Sequence, residues 1–133
     1  LWFHLRVAIM DIYTASKMLD SNADWKIFYG GRIHANYLKN ILFLEGMCHS
    51  EPDALDKISS NFPVYHKIKN SINSSRITLI GESHSTTKMS FSEDLTTFAN
   101  EQCNTGNRVE LFIEKHPSNA SVKKEKPCRN KGQ

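Results

Sequence analysis

Three short apolar runs, each ending at glycine or at an acidic residue, constrain most strongly what this chain can fold into. They cover residues 26–29, 76–80 and 108–113. Runs of this length that are rich in β-branched and aromatic side chains are typical of β-strands. The first run shows no alternation of apolar and polar residues, as expected when helices cover both faces of a sheet. The chain is therefore expected to build a sheet from these three runs.

Segments with helical periodicity separate the three runs. Leu5, Ile9, Ile12 and Leu19 fall on one face at helical spacing, which predicts an amphipathic helix over residues 2–20. Three further helices are predicted from the apolar period or from capping residues, and they cover residues 37–44 with Gly46 as a left-handed cap, residues 51–59, and residues 91–102 with Gly106 at the end. Residues 61–75 carry no clear period and are interpreted as a linker.

This order of elements predicts an α/β fold. We expect a small, mostly parallel sheet of about three strands with flanking helices. Right-handed crossovers would place the carboxyl ends of all three strands along one edge. Because the first residue is Leu1 rather than Met, the chain is interpreted as a fragment of a larger α/β domain and as part of a longer chain.

Composition narrows the classes of function. The chain has 133 residues, enough for one core, and a net charge of +3 with the basic excess near the C-terminus, so a nucleic-acid partner is not expected. Charged residues interrupt the apolar N-terminal stretch, which predicts no membrane span. Cys48, Cys103 and Cys128 are widely spaced and odd in number, and are interpreted as reduced thiols in a cytoplasmic, reducing compartment. Residues 117–133 are expected not to order.

Polar groups with catalytic potential follow each predicted strand. Glu82 and His84 come directly after Gly81, His34 lies beyond the paired glycines that end the first run, and Glu114 ends the third run. In open α/β sheets, sites form beyond the carboxyl ends of the strands. A glycine there would let the backbone turn sharply and let a ligand approach closely. The four side chains are therefore the candidate catalytic residues.

Two chemical arrangements of these residues remain open. A glutamate could orient an imidazole or act as general base on water, with histidine as the proton shuttle. Alternatively, His34, Glu82, His84 and Glu114 could together hold a divalent metal that lowers the pKa of bound water. The spacing of the residues does not choose between them, and it names no cofactor.

Structural interpretations compete with the catalytic ones. His34 could hydrogen-bond within its own turn at a helix start, and Glu82 could favour a helix N-terminus without any catalytic role. Asp11, in the middle of an apolar helix, could approach the same edge but is expected to be a surface charge. Glu110 lies inside the third run and is expected to face solvent or form an ion pair.

Three short motifs resemble one enzyme superfamily. Residues 79–84 (Leu-Ile-Gly-Glu-Ser-His) resemble the LLGExH opening of the superfamily that contains erythromycin esterases, ChaN-like proteins and TraB/Tiki proteins. Residues 111–114 (Leu-Phe-Ile-Glu) resemble its next strand, and residues 29–35 resemble its late GxxH motif. The resemblance implies an α/β hydrolase-like scaffold without a Ser-His-Asp triad, with a site built from the two glutamates and the two histidines. Relatives include metal-dependent proteases, metal-independent esterases and haem-binding proteins.

The order and extent of the motifs differ from the superfamily pattern. In the superfamily the GExH motif comes first, whereas here the GxxH motif does, and the family domain is about twice as long. One interpretation is that the chain spans two tandem units: residues 1–46 as a C-terminal-like unit, 47–75 as a linker with a short helix, 76–116 as an N-terminal-like unit, and 117–133 as a basic tail. Circular permutation is the alternative.

These observations together predict a hydrolase, esterase-like or metalloprotease-like, with an unknown substrate. Its Glu/His site would lie at the carboxyl edge of the parallel sheet. The alternative is a non-catalytic binding or scaffold module of the same fold with an incomplete site. Convergence of the candidate carboxylates and imidazoles would favour catalysis, and side chains pointing apart would favour the module.

Overall fold

The computed structural model describes residues 2–59, 62–70, 75–83, 89–114 and 122–125. Its four helices there are α1 Trp2–Asp20, α2 Arg32–Leu44, α3 Asp56–Ser59 and α4 Met89–Asn104. Its six strands there are β1 Trp25–Gly31, β2 Cys48–His49, β3 Val64–Lys69, β4 Arg76–Glu82, β5 Val109–Glu114 and β6 Val122–Glu125. All six belong to one sheet, in the order β2-β3-β4-β1-β5-β6.

The three apolar runs form strands of one sheet, as predicted, and they make up its centre. Strand β1 lies between β4 and β5 and is parallel to both. The register pairs Gly30 with Gly81 and Gly31 with Glu82, while Tyr29 pairs with Ile113. The carboxyl ends of the three strands therefore share one edge. Strand β1 belongs to residues 1–46, and it lies between two strands that belong to residues 76–116. The division of the chain into two tandem units remains a prediction.

The expectation of about three mostly parallel strands is wrong for the rest of the sheet. Strands β2, β3 and β6 pair in antiparallel fashion, so three of the five strand pairs described are antiparallel. Strand β3 occupies part of the segment interpreted as a linker, and β6 lies in the tail that was expected not to order. Both strands were missed because they are rich in lysine. Backbone hydrogen bonds to a neighbouring strand hold such segments without a continuous apolar run.

A lysine-centred network fastens β3 to the chain before it. The ammonium group of Lys67 lies 3.1 Å from Asp53 Oδ1 and 2.6 Å from Asp56 Oδ1, and the Tyr65 hydroxyl donates to the same Asp56 oxygen at 2.7 Å. Asp53 Oδ1 also accepts the backbone N–H of Leu55 at 2.9 Å. Because the turn at Asp53 is held in this way, α3 begins only at Asp56, and the helix is shorter than the predicted residues 51–59.

Helices cover both faces of the sheet and create two cores. The first core lies under α1 and α2, the second under α3 and α4. Buried members of the first core include Ala15, Met18, Phe28, Leu38, Leu42 and Phe112. Buried members of the second core include Ile27, Leu55, Leu95, Phe98, Ala99 and Leu111. Side chains alternate between these cores along each central strand, which identifies the face of every residue near the carboxyl edge.

The face that α1 buries is not its apolar stripe. Leu5, Ile9 and Ile12 are each at least half exposed, whereas Met18 on the other side of the helix is fully buried. The buried face also contains Thr14, whose hydroxyl donates to the Met10 carbonyl at 3.0 Å. The small side chain of Ala15 and the internally hydrogen-bonded side chain of Thr14 let α1 pack against α2 and the sheet. The amphipathic pattern therefore predicted the helix correctly, but it did not predict which face of the helix is buried.

Two helices end close to the glycines that were predicted to cap them. Gly46 and Gly106 have φ values of +88° and +89°, and each follows the end of a helix as predicted.

Cys103 is disulfide-bonded while Cys48 is a free, exposed thiol, so the expectation of three reduced thiols is wrong. Across the described ranges, no helix combines the length and apolarity needed to cross a membrane.

Candidate functional site at the carboxyl edge

An acid–imidazole–acid chain lies at the carboxyl edge, on the face covered by α1 and α2. The Nδ1 atom of His34 is 2.7 Å from Asp11 Oδ1, and its Nε2 atom is 3.3 Å from Glu114 Oε1. The second oxygen of Glu114 accepts the backbone N–H of Gly31 at 2.7 Å. Four elements therefore meet at one imidazole: α1, α2, β5 and the end of β1.

Local structure explains why these side chains converge. His34 lies in the first turn of α2, which begins directly after β1 and has Gly31 as its N-cap residue. Glu114 is the last residue of β5, the parallel neighbour of β1. Asp11 lies at mid-helix in α1, and α1 packs against α2. The two predicted residues come from the sheet edge, and the third comes from the helix above it.

Burial and the neighbouring charges have opposite effects on the pKa values of Asp11 and His34. Asp11 is 2% exposed, and burial raises the pKa of its carboxyl, although the hydrogen bond to His34 acts to lower it. The hydrogen bond to Asp11 raises the pKa of the His34 imidazole against the effect of burial, and the negative charges of Asp11 and Glu114 raise it further. The two carboxylates therefore shift the His34 equilibrium toward its cationic form.

One oxygen of Asp11 has no hydrogen-bond partner among the described residues. This atom, Oδ2, is buried, whereas Oδ1 is bonded to His34. An unpaired buried carboxylate oxygen is costly, so such groups concentrate at places with a special role. The expectation that Asp11 is a surface charge is wrong. Thr14, Ala15 and Met18 follow Asp11 at helical spacing, and this second stripe was the one sequence signal for its burial.

The strand-end glycines provide room for packing rather than sharp turns. A Cβ atom on Gly30 would lie 2.5 Å from Glu114 Oε2, and one on Gly81 would lie 2.6 Å from the Arg32 Cα atom. Neither residue has a positive φ value. We predicted that these glycines would let the backbone turn sharply and let a ligand approach. In the structure, glycine is instead needed at Gly30 because Glu114 approaches the strand closely, and at Gly81 because α2 does.

Glu82 lies on the opposite face of the sheet from His34 and Glu114. Its carboxylate accepts the Tyr29 hydroxyl, and Tyr29 packs edge-on against Phe62 in the second core, with 5.8 Å between ring centroids. Ile80, two residues before Glu82, belongs to that core as well. Of the four candidate residues, the structure brings together His34 and Glu114 and separates Glu82 from them. His84 lies outside the described residues.

The described residues contain no ready-made metal site. Nowhere in the described ranges do three or more His, Cys, Asp or Glu side chains form a cluster that could hold a metal ion. The Asp11–His34–Glu114 chain is linear, because each ring nitrogen of the imidazole faces one carboxylate. The set of His34, Glu82, His84 and Glu114 as metal ligands remains a prediction, and Glu82 lies on the other face of the sheet from His34 and Glu114.

Glu110 occupies a buried position, which excludes one of its two expected roles. It is 4% exposed, and its alternation with Phe112 puts it on the face covered by α1 and α2, opposite Lys26 in the register. A solvent-facing Glu110 is therefore excluded, whereas its charge acts on Lys26 and raises that group's pKa against the effect of burial. This pair of oppositely charged residues lies one side-chain layer below the Asp11–His34–Glu114 chain.

Protein stability should fall as pH rises above neutrality. Because the pKa of His34 is raised on folding, its stabilisation is complete below its unfolded pKa of about 6.5 and is lost as pH rises through the folded value. Urea unfolding at several pH values from 6.5 upward should show this decline, and His34→Gln should abolish it. Burial lowers the pKa of both His66 and Lys26, so these groups act in the opposite sense, His66 below pH 6.5 and Lys26 as pH approaches its usual pKa of about 10.4. The difference between the wild type and His34→Gln at each pH therefore isolates the contribution of His34. An unchanged slope in His34→Gln would contradict the assignment.

The chain matches no protein-family model, and neither curated proteins nor solved structures give a significant match.

Proposed function

We propose that this chain is a hydrolase in which His34 transfers protons at the carboxyl edge of the central strands. The observation that carries the proposal is the chain of Asp11, His34 and Glu114, in which Asp11 is hydrogen-bonded to His34 and Glu114 lies at ion-pair distance from it. A carboxylate on Nδ1 fixes the orientation of an imidazole and supports its cationic form, so that Nε2 can give or receive a proton. The side chains of His34 and Glu114 are 16% and 18% exposed, which leaves both within reach of solvent.

The proposed roles follow from these positions. Asp11 orients His34, His34 acts as proton shuttle, and Glu114 acts as general base on water when it exchanges its contact with His34 for a substrate. Glu82 would contribute from the other side of the edge as general base or ligand. His84, which lies outside the described residues, is proposed as a further proton shuttle or ligand. The similarity of the motifs to the erythromycin esterase, ChaN and TraB/Tiki superfamily supports ester or peptide hydrolysis, with or without a divalent metal.

A non-catalytic binding or scaffold module is the second candidate, and a specific observation favours it. Both ring nitrogens of His34 already face carboxylates, and Glu82 lies on the opposite face of the sheet. In that case the Asp11–His34–Glu114 chain would fasten α1 and α2 to β5 without any chemistry.

Hydrolysis of p-nitrophenyl acetate separates the two candidates. Since positioned acid–base groups contribute about 100-fold or more, His34→Gln and Glu114→Gln should each lower the rate by roughly that factor. His66→Gln is the matched control and should leave the rate unchanged, because in the described part of the chain the His66 side chain bonds only to that of Asn36. Equal rates in the wild type and in folded His34→Gln would contradict the hydrolase proposal and support the non-catalytic binding or scaffold module.

A further inference from the structure

A cavity of about 280 Å³ opens at the sheet edge opposite the candidate site, near the amino ends of β1 and β4. It lies beside the C-terminal end of α1, on the same face as the first core. Its walls include Ser21, Asp24, Lys26, Met47, Asn70 and Ile77. The proposed hydrolase chemistry uses none of these residues. A volume of this order holds a small metabolite rather than a drug-sized molecule.

Lys26 is the unusual group in this cavity. The residue is only 5% exposed and sits in the central strand β1, where its side chain alternates with Ile27 and so faces α1. In the described part of the chain, no hydrogen bond or ion pair engages its ammonium group. A buried lysine is normally paired, because burying an ammonium without a partner is costly. The charges of Glu110 and Asp20 act on this ammonium group, but neither residue forms an ion pair with it, so the ammonium still lacks a direct partner among the described residues.

We propose that the cavity is a binding site for a small hydroxylated carboxylate whose carboxylate group pairs with Lys26. The remaining walls fit the rest of such a molecule. Ser21 and Asn22 place polar side chains on the walls, whereas Met47 and Ile77 supply apolar surface for its carbon skeleton. Asp24, the one acidic residue in the walls, disfavours a ligand with several negative charges. A molecule with one carboxylate and several hydroxyls meets these demands together.

The electrostatics around Lys26 support this arrangement. Burial lowers the pKa of the Lys26 ammonium, and the negative charges of Glu110 and Asp20 offset this only in part. A bound carboxylate would add a third negative charge and would stabilise the ammonium form. Binding should therefore raise the pKa of Lys26, and this change can be measured on the wild-type protein.

Gluconate is the probe that tests the proposal, and sorbitol is its uncharged control. With ¹³C incorporated biosynthetically at the lysine Cε atoms, gluconate should shift the Lys26 resonance in a saturable way and raise its pKa, whereas sorbitol should do neither. Lys26→Met keeps the apolar stem and removes the charge, so it should weaken gluconate binding by about tenfold or more. Lys57→Met, which removes an exposed lysine outside the cavity, should leave binding unchanged.

Two results would overturn the proposal. One is that gluconate shifts the Lys26 resonance no more than sorbitol does at matched ionic strength. The other is that a folded Lys26→Met protein binds gluconate as well as the wild type. Because the pKa readout uses the wild-type chain, it decides the question even if Lys26→Met does not fold. The proposal is independent of the hydrolase assignment, since esterase activity can fail while gluconate still binds.

Discussion

His34→Ala should lower the free energy of unfolding at pH 7 by about 3 kcal/mol, the range expected when one partner of a buried ion pair is removed. The reason is Asp11, which is 2% exposed and has only His34 to bond among the described residues. Without the imidazole, a buried carboxylate must either stay charged without a partner or take up a proton. Urea unfolding followed by circular dichroism measures the loss.

A double substitution distinguishes this mechanism from simple loss of packing. In Asp11→Asn with His34→Ala, the buried charge is gone, so the loss should be smaller than the sum of the two single losses. His66→Ala removes a histidine whose hydrogen bond goes to the neutral Asn36 side chain, and it should cost about 1 kcal/mol or less. A strictly additive double mutant would contradict the coupling of Asp11 to His34.

Gly81→Ala should destabilise the fold by about 2 kcal/mol or more, as expected for an overpacked core position. The new methyl group would lie 2.6 Å from the Cα atom of Arg32 and 3.1 Å from the Ala35 side chain. The Arg32 contact is with backbone at the first residue of α2, so no side-chain rotation can relieve it. The helix must move away from β4, and His34 moves with it. Thermal unfolding measures the cost.

Gly31→Ala is the matched control at the same edge. A methyl group there would meet its nearest atoms, in Glu114 and His34, at 3.5 Å and 3.6 Å, which are ordinary contacts. The backbone φ of −64° is one that alanine adopts freely. The substitution should change stability by less than about 0.5 kcal/mol, as surface changes usually do. A large loss here would show that flexibility, rather than space, makes glycine necessary at the strand ends.

The central strands were predictable because their burial is symmetrical. Strands β1, β4 and β5 are covered on both faces, so their sequences read as short apolar runs with clear ends. Strand β3 lies nearer the sheet margin, with most side chains only half buried, and its alternation of Tyr65, Lys67 and Lys69 with other residues resembles a polar loop. Such a strand is stabilised mainly by backbone hydrogen bonds to its neighbour, and these bonds do not require a characteristic amino-acid composition.

The candidate site was predictable only where residues follow directly from a strand end. His34 and Glu114 meet because parallel strands finish together, which topology alone implies. The face to which each side chain points depends on register, and a shift of one residue reverses it. For this reason Glu82 could not be separated from Glu114 beforehand. Asp11 comes from a helix whose orientation the apolar pattern misjudged, so its partnership with His34 required three-dimensional packing.

The central position of β1 has a consequence for how the chain folds. Its two neighbours come from much later in the sequence: Tyr29 and Glu82 are 53 residues apart, and Gly31 and Glu114 are 83 residues apart. Closing such long loops costs entropy before any contact stabilises the product. During synthesis, β1 therefore lacks its two native neighbours until residues 76–114 have left the ribosome. We expect slow folding, and a window in which this strand is open to aggregation.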